Sequence, residues 1–91
     1  MLKVEYSTLF KKDYKRMIKR GCRPEELEEV VTLLMRRIVL PKKYCDHALT
    51  GDLKGFRECH INPDWLLMYE IYEDELVLVL ARTGTHNDLF G

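Results

Sequence analysis

Ninety-one residues suffice for one domain with a modest core and leave no room for a separate regulatory module. With 46% hydrophobic and 33% charged residues the composition is that of an ordinary globular protein, and no run approaches the roughly 18 apolar residues of a membrane span. Fifteen Lys and Arg balance fifteen Asp and Glu, but unevenly: residues 1–23 hold eight basic residues against Glu5 and Asp13, and residues 61–91 hold six acidic residues against Arg82 alone. Such asymmetry suits a polyanionic or acidic partner at one face, although a solvated basic helix face is its commoner cause.

The opening "MLKVEYSTLF" lacks the apolar stretch and small-residue cleavage site of a signal peptide, which predicts a cytoplasmic chain beginning near Met1. Val4 and Tyr6 alternate as in a short strand over Lys3–Tyr6. Ser7 or Thr8 then caps a helix in which Phe10, Tyr14, Met17 and Ile18 recur at helical spacing, with Gly21 as its C′ residue. The opposite side of that helix carries Lys11, Lys12, Lys15, Arg16, Lys19 and Arg20. Pro24 suits the first position of a second helix, whose buried stripe is Leu27, Val30, Val31, Leu34 and Ile38. Glu25, Glu26, Glu28 and Glu29 toward its start and Arg36 and Arg37 near its end match the helix dipole. The short link between the two predicts an antiparallel pair.

Leu40-Pro41 stops the second helix, and 41–55, containing "CDHALTGDLKG", reads as a loop long enough to be functional. Three strands follow at Phe56–Ile61, Trp65–Tyr72 and Leu76–Thr83. The last two are apolar enough for burial on both faces, and Asn62-Pro63-Asp64 and Glu73-Asp74 join the three as antiparallel hairpins. The expected fold is therefore α+β, a single domain over 1–91 with two antiparallel N-terminal helices packed on a small, mostly antiparallel sheet.

Cys22, Cys45 and Cys59 are an odd count with no C-x-x-C pair, and read as free thiols. A zinc site from Cys45, His47, Cys59 and His60 is disfavoured, because adjacent residues of a strand face opposite sides. No metal and no cofactor is read from the sequence.

Histidine suits proton transfer near neutrality, with an ordinary pKa of about 6.5. His47, His60 and His86 each fall in a predicted loop or at a strand end. His60 and Asp64 flank one turn, so the carboxylate could orient the imidazole, although aspartate is common in turns for its own sake. Arg82 ends a very apolar strand, either paired with an acid at the sheet edge or aimed at an anion such as phosphate. Beyond it "TGTHNDLFG" brings His86 and Phe90, an aromatic that either seals the core or stacks on an unpaired base. Metal-free RNA cleavage needs a base for the ribose 2′-hydroxyl, an acid for the departing 5′-oxygen and a fixed cation for the phosphate. The histidines, Asp64 and Arg82, with Lys54 and Arg57 as loop cations, form a sufficient kit, one that many unrelated proteins also own.

The blocks "DHALTGDLKGFRECHINPDWLLMYEI" and "LVLVLARTGTHNDLFG" resemble the YafQ-type branch of the RelE/ParE toxin superfamily. The pattern there is D-H-x-L-x-G, then R-[DE]-x-H-[IV]-x-P-D-W/L, then R-x-G-[ST]-H-x-x-L-F. All three blocks occur here in order, and the likeness spans the chain. It implies a RelE-like fold and the toxin of a bacterial type II toxin–antitoxin pair, a ribosome-dependent endoribonuclease cutting mRNA in the decoding site. Carried over to this chain, it implies His47, His60, Asp64 and His86 as catalytic, with Arg82 and Phe90 in support. His60 and His86 would share the base and acid roles, Asp64 would tune His60, and His47 would contact phosphate or assist proton transfer. Arg82 would stabilise the transition state, and Phe90 would position a base. The implied partners are a cognate antitoxin, mRNA on the ribosome and ribosomal RNA, with the basic first helix a candidate surface for either polyanion. The alternative is a non-nucleolytic inhibitor of DNA gyrase or of translation, against which the three histidines argue.

Overall fold

The computed structural model describes residues 1–91, in the order β1 (Lys3–Tyr6), α1 (Thr8–Lys19), α2 (Pro24–Met35), β2 (His47–Ala48), β3 (Arg57–Asn62), β4 (Trp65–Tyr72), β5 (Val77–Gly84) and α3 (His86–Phe90). Local chemistry sets the boundaries of the first half. The Ser7 hydroxyl accepts the Phe10 N–H and caps α1. At its other end Cys22 N–H bonds the Met17 carbonyl and Gly21 N–H that of Ile18, with Gly21 at φ 99°, a Schellman closure that glycine adopts without a Cβ penalty. Pro24 opens α2 as expected.

The end of α2 departs from the periodicity. The same closure recurs through Ile38 N–H to Leu33 and Arg37 N–H to Leu34, with Arg37 taking the left-handed conformation at φ 58°. The helix therefore stops at Met35, and Ile38, expected in its buried stripe, is left 47% exposed. The segment 41–55 is also more ordered than a loop. It holds two short 3₁₀ turns, Lys42–Tyr44 and Gly51–Leu53, around β2, which pairs His47 with Glu58 and Ala48 with Arg57. The closing helix α3 was not anticipated.

The strands form one sheet in the order β1-β5-β4-β3-β2, with β1 parallel to β5 and the other pairs antiparallel. Strand alternation sorts it into two faces. Cys59, Ile61, Trp65, Leu67, Tyr69, Leu78 and Leu80 pack beneath Phe10 and Met17 of α1 and Leu27, Val30 and Leu34 of α2. Full burial of each such large side chain stabilises by about 1.5–3 kcal/mol. Glu58, His60, Leu66 and Met68 occupy the opposite face. Along β4 both sides are buried from Trp65 to Tyr69, as its continuous apolar run implied. β5 is less covered, with Val77 and Val79 only half-buried on the second face. No helix is long and apolar enough to cross a membrane.

Candidate active site

The floor of the site is the sheet face away from α1 and α2. Pairing aligns His47 with Glu58, Glu58 with Met68 and Met68 with Arg82 in one row across four strands. The next row runs from His60 to Leu66 to Gly84. Direct partners in antiparallel pairs share a face, so His47, His60 and Arg82 rise from one surface, and His86 follows Gly84 by two residues.

A bulge makes this possible. Tyr69 pairs with Leu80 while Met68 pairs with Arg82, so Ala81 is an extra residue in β5. Without it, alternation from the buried Leu80 would turn Arg82 toward the helices and Thr83 outward. With it, Thr83 is fully buried and Arg82 is aimed at the open face. β1 ends at Tyr6, leaving the end of β5 without a neighbouring strand. α1 fills that edge: the Ser7 hydroxyl donates to the Ala81 carbonyl at 2.7 Å, and Asp13 accepts the Thr83 N–H at 3.2 Å. Asp13 also accepts from Arg82 Nε at 2.6 Å, so the arginine is paired with an acid, as one of its two readings held, though on a helix and not on the sheet. Its Nη1 makes no bond within the molecule, and the side chain stays 31% exposed.

Above this floor, a cavity of about 380 Å³ lies between the 51–56 loop, through Leu53 and Phe56, and α3, through Leu89, with Met68 and Arg82 at its base. Lys54 is exposed on that loop. α3 is held at both ends of its first turn. Thr85 Oγ accepts the Asp88 N–H while Asp88 accepts the Thr85 N–H, and Arg20 of α1 grips Asp88 through Nη1 at 2.7 Å and Nη2 at 3.3 Å. The Arg20 guanidinium, helped by the Thr85 N–H, holds the Asp88 carboxyl well below the usual carboxylate range. The latch is thus ionised throughout the neutral range. It presents His86 and Phe90 side by side, ring centres 5.1 Å apart and both exposed. Phe90 therefore does not seal the core.

Gly84 is what lets α3 fold back so closely. A Cβ there would stand 2.9 Å from Asp88 Cβ and 3.0 Å from its Oδ2, and Asp88 is already clamped. Gly84→Ala is expected to push α3 away at a cost of about 1–3 kcal/mol. The check is amide hydrogen exchange of Leu89 and Gly91, which should accelerate at least roughly tenfold with exchange in β4 far less affected.

His47 sits on the far edge of the sheet, in β2. Cys45, left-handed at φ 50°, turns its carbonyl to accept from His47 Nδ1 at 2.7 Å. A carbonyl only accepts, so Nδ1 carries the proton and Nε2 faces the Glu58 carboxylate at 3.5 Å. Glu58 is 5% exposed, and its Oε2 has no hydrogen-bond partner. This buried acid on the floor went unread, although two-residue alternation from His60 points to it. Asp46, next to His47, anchors the loop from the other side by accepting from Arg57 Nη2 at 2.8 Å and from the Tyr69 hydroxyl. Burial first, and then the bond to Asp46, push the Tyr69 phenol far above its ordinary range.

Two expected contacts are absent. Arg57, expected as a loop cation for substrate, alternates onto the helix side and pairs with Asp46. Asp64 makes no hydrogen bond to His60. Its N–H bonds the Asn62 side chain at 2.9 Å in the turn, and its carboxylate is exposed. Cys59 and His60 do lie on opposite faces, Cys59 fully buried among the core residues. The structure thus sets His47, His60 and Arg82 on one face of the sheet, from its β2 edge to β5, with His86 and Phe90 exposed on α3 and Lys54 exposed on the 51–56 loop, and puts Arg57 on the helix side.

The chain is similar to the mRNA interferase toxin YafQ of Escherichia coli K12, 42% identical over 89 residues that cover 97% of this chain and 95% of that one. Among solved structures it resembles E. coli YafQ in the DinJ-YafQ complex, with TM-score 0.89, 40% identity and complete coverage of both chains. It also resembles a metal-bound toxin from Helicobacter pylori, with TM-score 0.93, 47% identity and coverage of 99% of this chain and 100% of that one. A family described as the bacterial toxin of type II toxin-antitoxin system, YafQ, matches residues 2–91, and the chain belongs to that family.

Proposed function

We propose that this protein is the toxin of a type II pair, cutting mRNA on the ribosome by metal-free acid–base catalysis. The observation that carries the reading is the placement of His60, His86 and Arg82 around one open face bordered by exposed Phe90 and Lys54. One imidazole takes the proton of the ribose 2′-hydroxyl as that oxygen attacks the adjacent phosphorus. The other protonates the 5′-oxygen as its bond to phosphorus breaks, leaving a 2′,3′-cyclic phosphate and a free 5′-hydroxyl. Arg82 meets the charge growing on the phosphate oxygens through Nη1, the nitrogen it does not use internally. Phe90 offers a face for an unpaired base, and His47, steadied by the Cys45 carbonyl, lies in the row of Arg82. Asp64 enters as a turn carboxylate free to reach the RNA or His60 once a substrate seats.

The test is cell-free translation followed by mapping of transcript ends. Cuts at codon-related positions that require ribosomes support the reading. Intact transcripts alongside arrested translation, or gyrase-dependent DNA breaks, overturn it.

We place the antitoxin on the opposite side. A groove of about 610 Å³ between α1 and α2 is floored by Phe10, Tyr14, Leu27 and Val31, with Lys11 and Lys15 on its α1 side and Glu28 on its α2 side. The apolar floor and the basic α1 side suit a segment with one apolar face and acidic residues toward α1, which we assign to the antitoxin. Tyr14→Glu, which puts a carboxylate into the groove, is expected to weaken the complex at least roughly tenfold by calorimetry while ribosome-dependent cutting persists. Unchanged affinity would remove the groove from the interface.

A further inference from the structure

We propose that Asp13 of α1 is the positioning residue that sets the Arg82 guanidinium for its work on the phosphate. The proposal rests on the nuclease reading above.

Asp13 is one acid within the basic run of α1, and it is turned inward, 3% exposed. Each of its oxygens accepts two bonds. Oδ2 takes Arg82 Nε at 2.6 Å and the Thr83 N–H at 3.2 Å. Oδ1 takes Arg82 Nη2 at 3.2 Å and Arg16 Nη2 at 3.0 Å. The two-point contact along one side of the guanidinium fixes its plane, which a single bond would leave free to rotate. It also leaves Nη1 as the nitrogen available to a ligand.

The bond to Thr83 matters as much. It ties the carboxylate to the backbone of β5 itself, so the arginine is held relative to the strand that bears it and not merely to a neighbouring helix. The bulge at Ala81 aims Arg82 at the open face, and Asp13 then stops it swinging there. Stabilisation of developing charge depends on donors fixed before the reaction begins, and a displacement of about 1 Å at a catalytic group can cost on the order of 100-fold.

A purely structural role would look different. Capping the free edge at Thr83 needs only one neutral acceptor, which asparagine supplies. Asparagine would, however, turn an amide N–H₂ toward the donors of Arg82 or lose one of their two bonds. Asp13→Asn therefore keeps the edge cap and breaks the fork.

The experiment measures cutting of a defined mRNA on programmed ribosomes by the full-length toxin. For Asp13→Asn, kcat is expected to fall about 10- to 100-fold with KM changed less than about twofold, because the lost interaction belongs to the transition state. In an Arg82→Ala background the same change should cost nothing further, since its effect runs through that side chain. Arg82→Lys, which keeps the charge but has no fork, should lose nearly as much as Arg82→Ala. Wild-type kcat in Asp13→Asn, an undiminished penalty in the Arg82→Ala background, or full activity in Arg82→Lys would each overturn the proposal. If Asp13→Asn fails to fold, full activity in Arg82→Lys still overturns the proposal. A wild-type toxin that leaves the mRNA intact refutes the nuclease reading itself and this proposal with it, whereas a cutting wild type with an indifferent Asp13→Asn refutes this proposal alone.

Discussion

Replacing His86 with alanine is expected to slow mRNA cutting by about 10²–10⁴-fold, the usual contribution of a positioned acid or base. The structure makes this a clean measurement. His86 is exposed at the first position of α3, its ring touches Phe90, and it takes no part in the Thr85–Asp88 capping box or in the Arg20 latch. Removing a surface ring of this kind changes stability by about 0.5 kcal/mol or less. A loss of rate at an unchanged melting temperature therefore reports chemistry. His60→Ala should behave alike, and because acid and base serve one displacement, the double variant should fall well short of the product of the single losses. Single-turnover cutting on programmed ribosomes is the readout. Retention of activity within about threefold in either single variant would remove that histidine from proton transfer, since it lies far below the usual contribution.

The largest effect on the fold is expected at Leu67. It is fully buried near the start of β4, the strand flanked by both β3 and β5, and packs in the cluster shared with α1 and α2. Leu67→Ala removes buried methyl groups and leaves a cavity that a paired central strand cannot close, at a cost of about 2–5 kcal/mol. Whole-domain stability is only about 5–15 kcal/mol, so this is a large share of it. At about 4–8 °C per kcal/mol for a domain of this size, thermal unfolding should shift down by at least roughly 10 °C. Val39→Ala is the control: the side chain is 90% exposed, and its melting temperature should hardly move. A Leu67→Ala protein melting with the wild type would mean that the core is not packed as described.

The two predictions differ in how far each was visible in the linear chain. Leu67 sits in a run whose apolar content already implied burial on both sides. The three histidines were visible too, as rare residues at element ends, and their role was implied by resemblance. Three features escaped. Glu58 was not singled out, although its alternation with His60 puts it on the floor. Arg57 was read as a loop cation, and its pairing with Asp46 on the helix side depends on contacts that the strand's own alternation does not name. α3 is only five residues long and is held by contacts with Arg20 and Gly84, which no short-range period encodes.

The sequence by itself determined the elements: the Ser7 cap, the Gly21 closure, the Pro24 start and the alternating strands are local, because each depends on backbone chemistry within a few residues. Only the tertiary structure decided the site. One extra residue at Ala81 turns Arg82 from the core side to the open side, and Asp13, 69 positions earlier, fixes it there. A register shift and a pairing across that separation arise when the sheet and α1 assemble, and neither has a periodic signature in the chain that forms them.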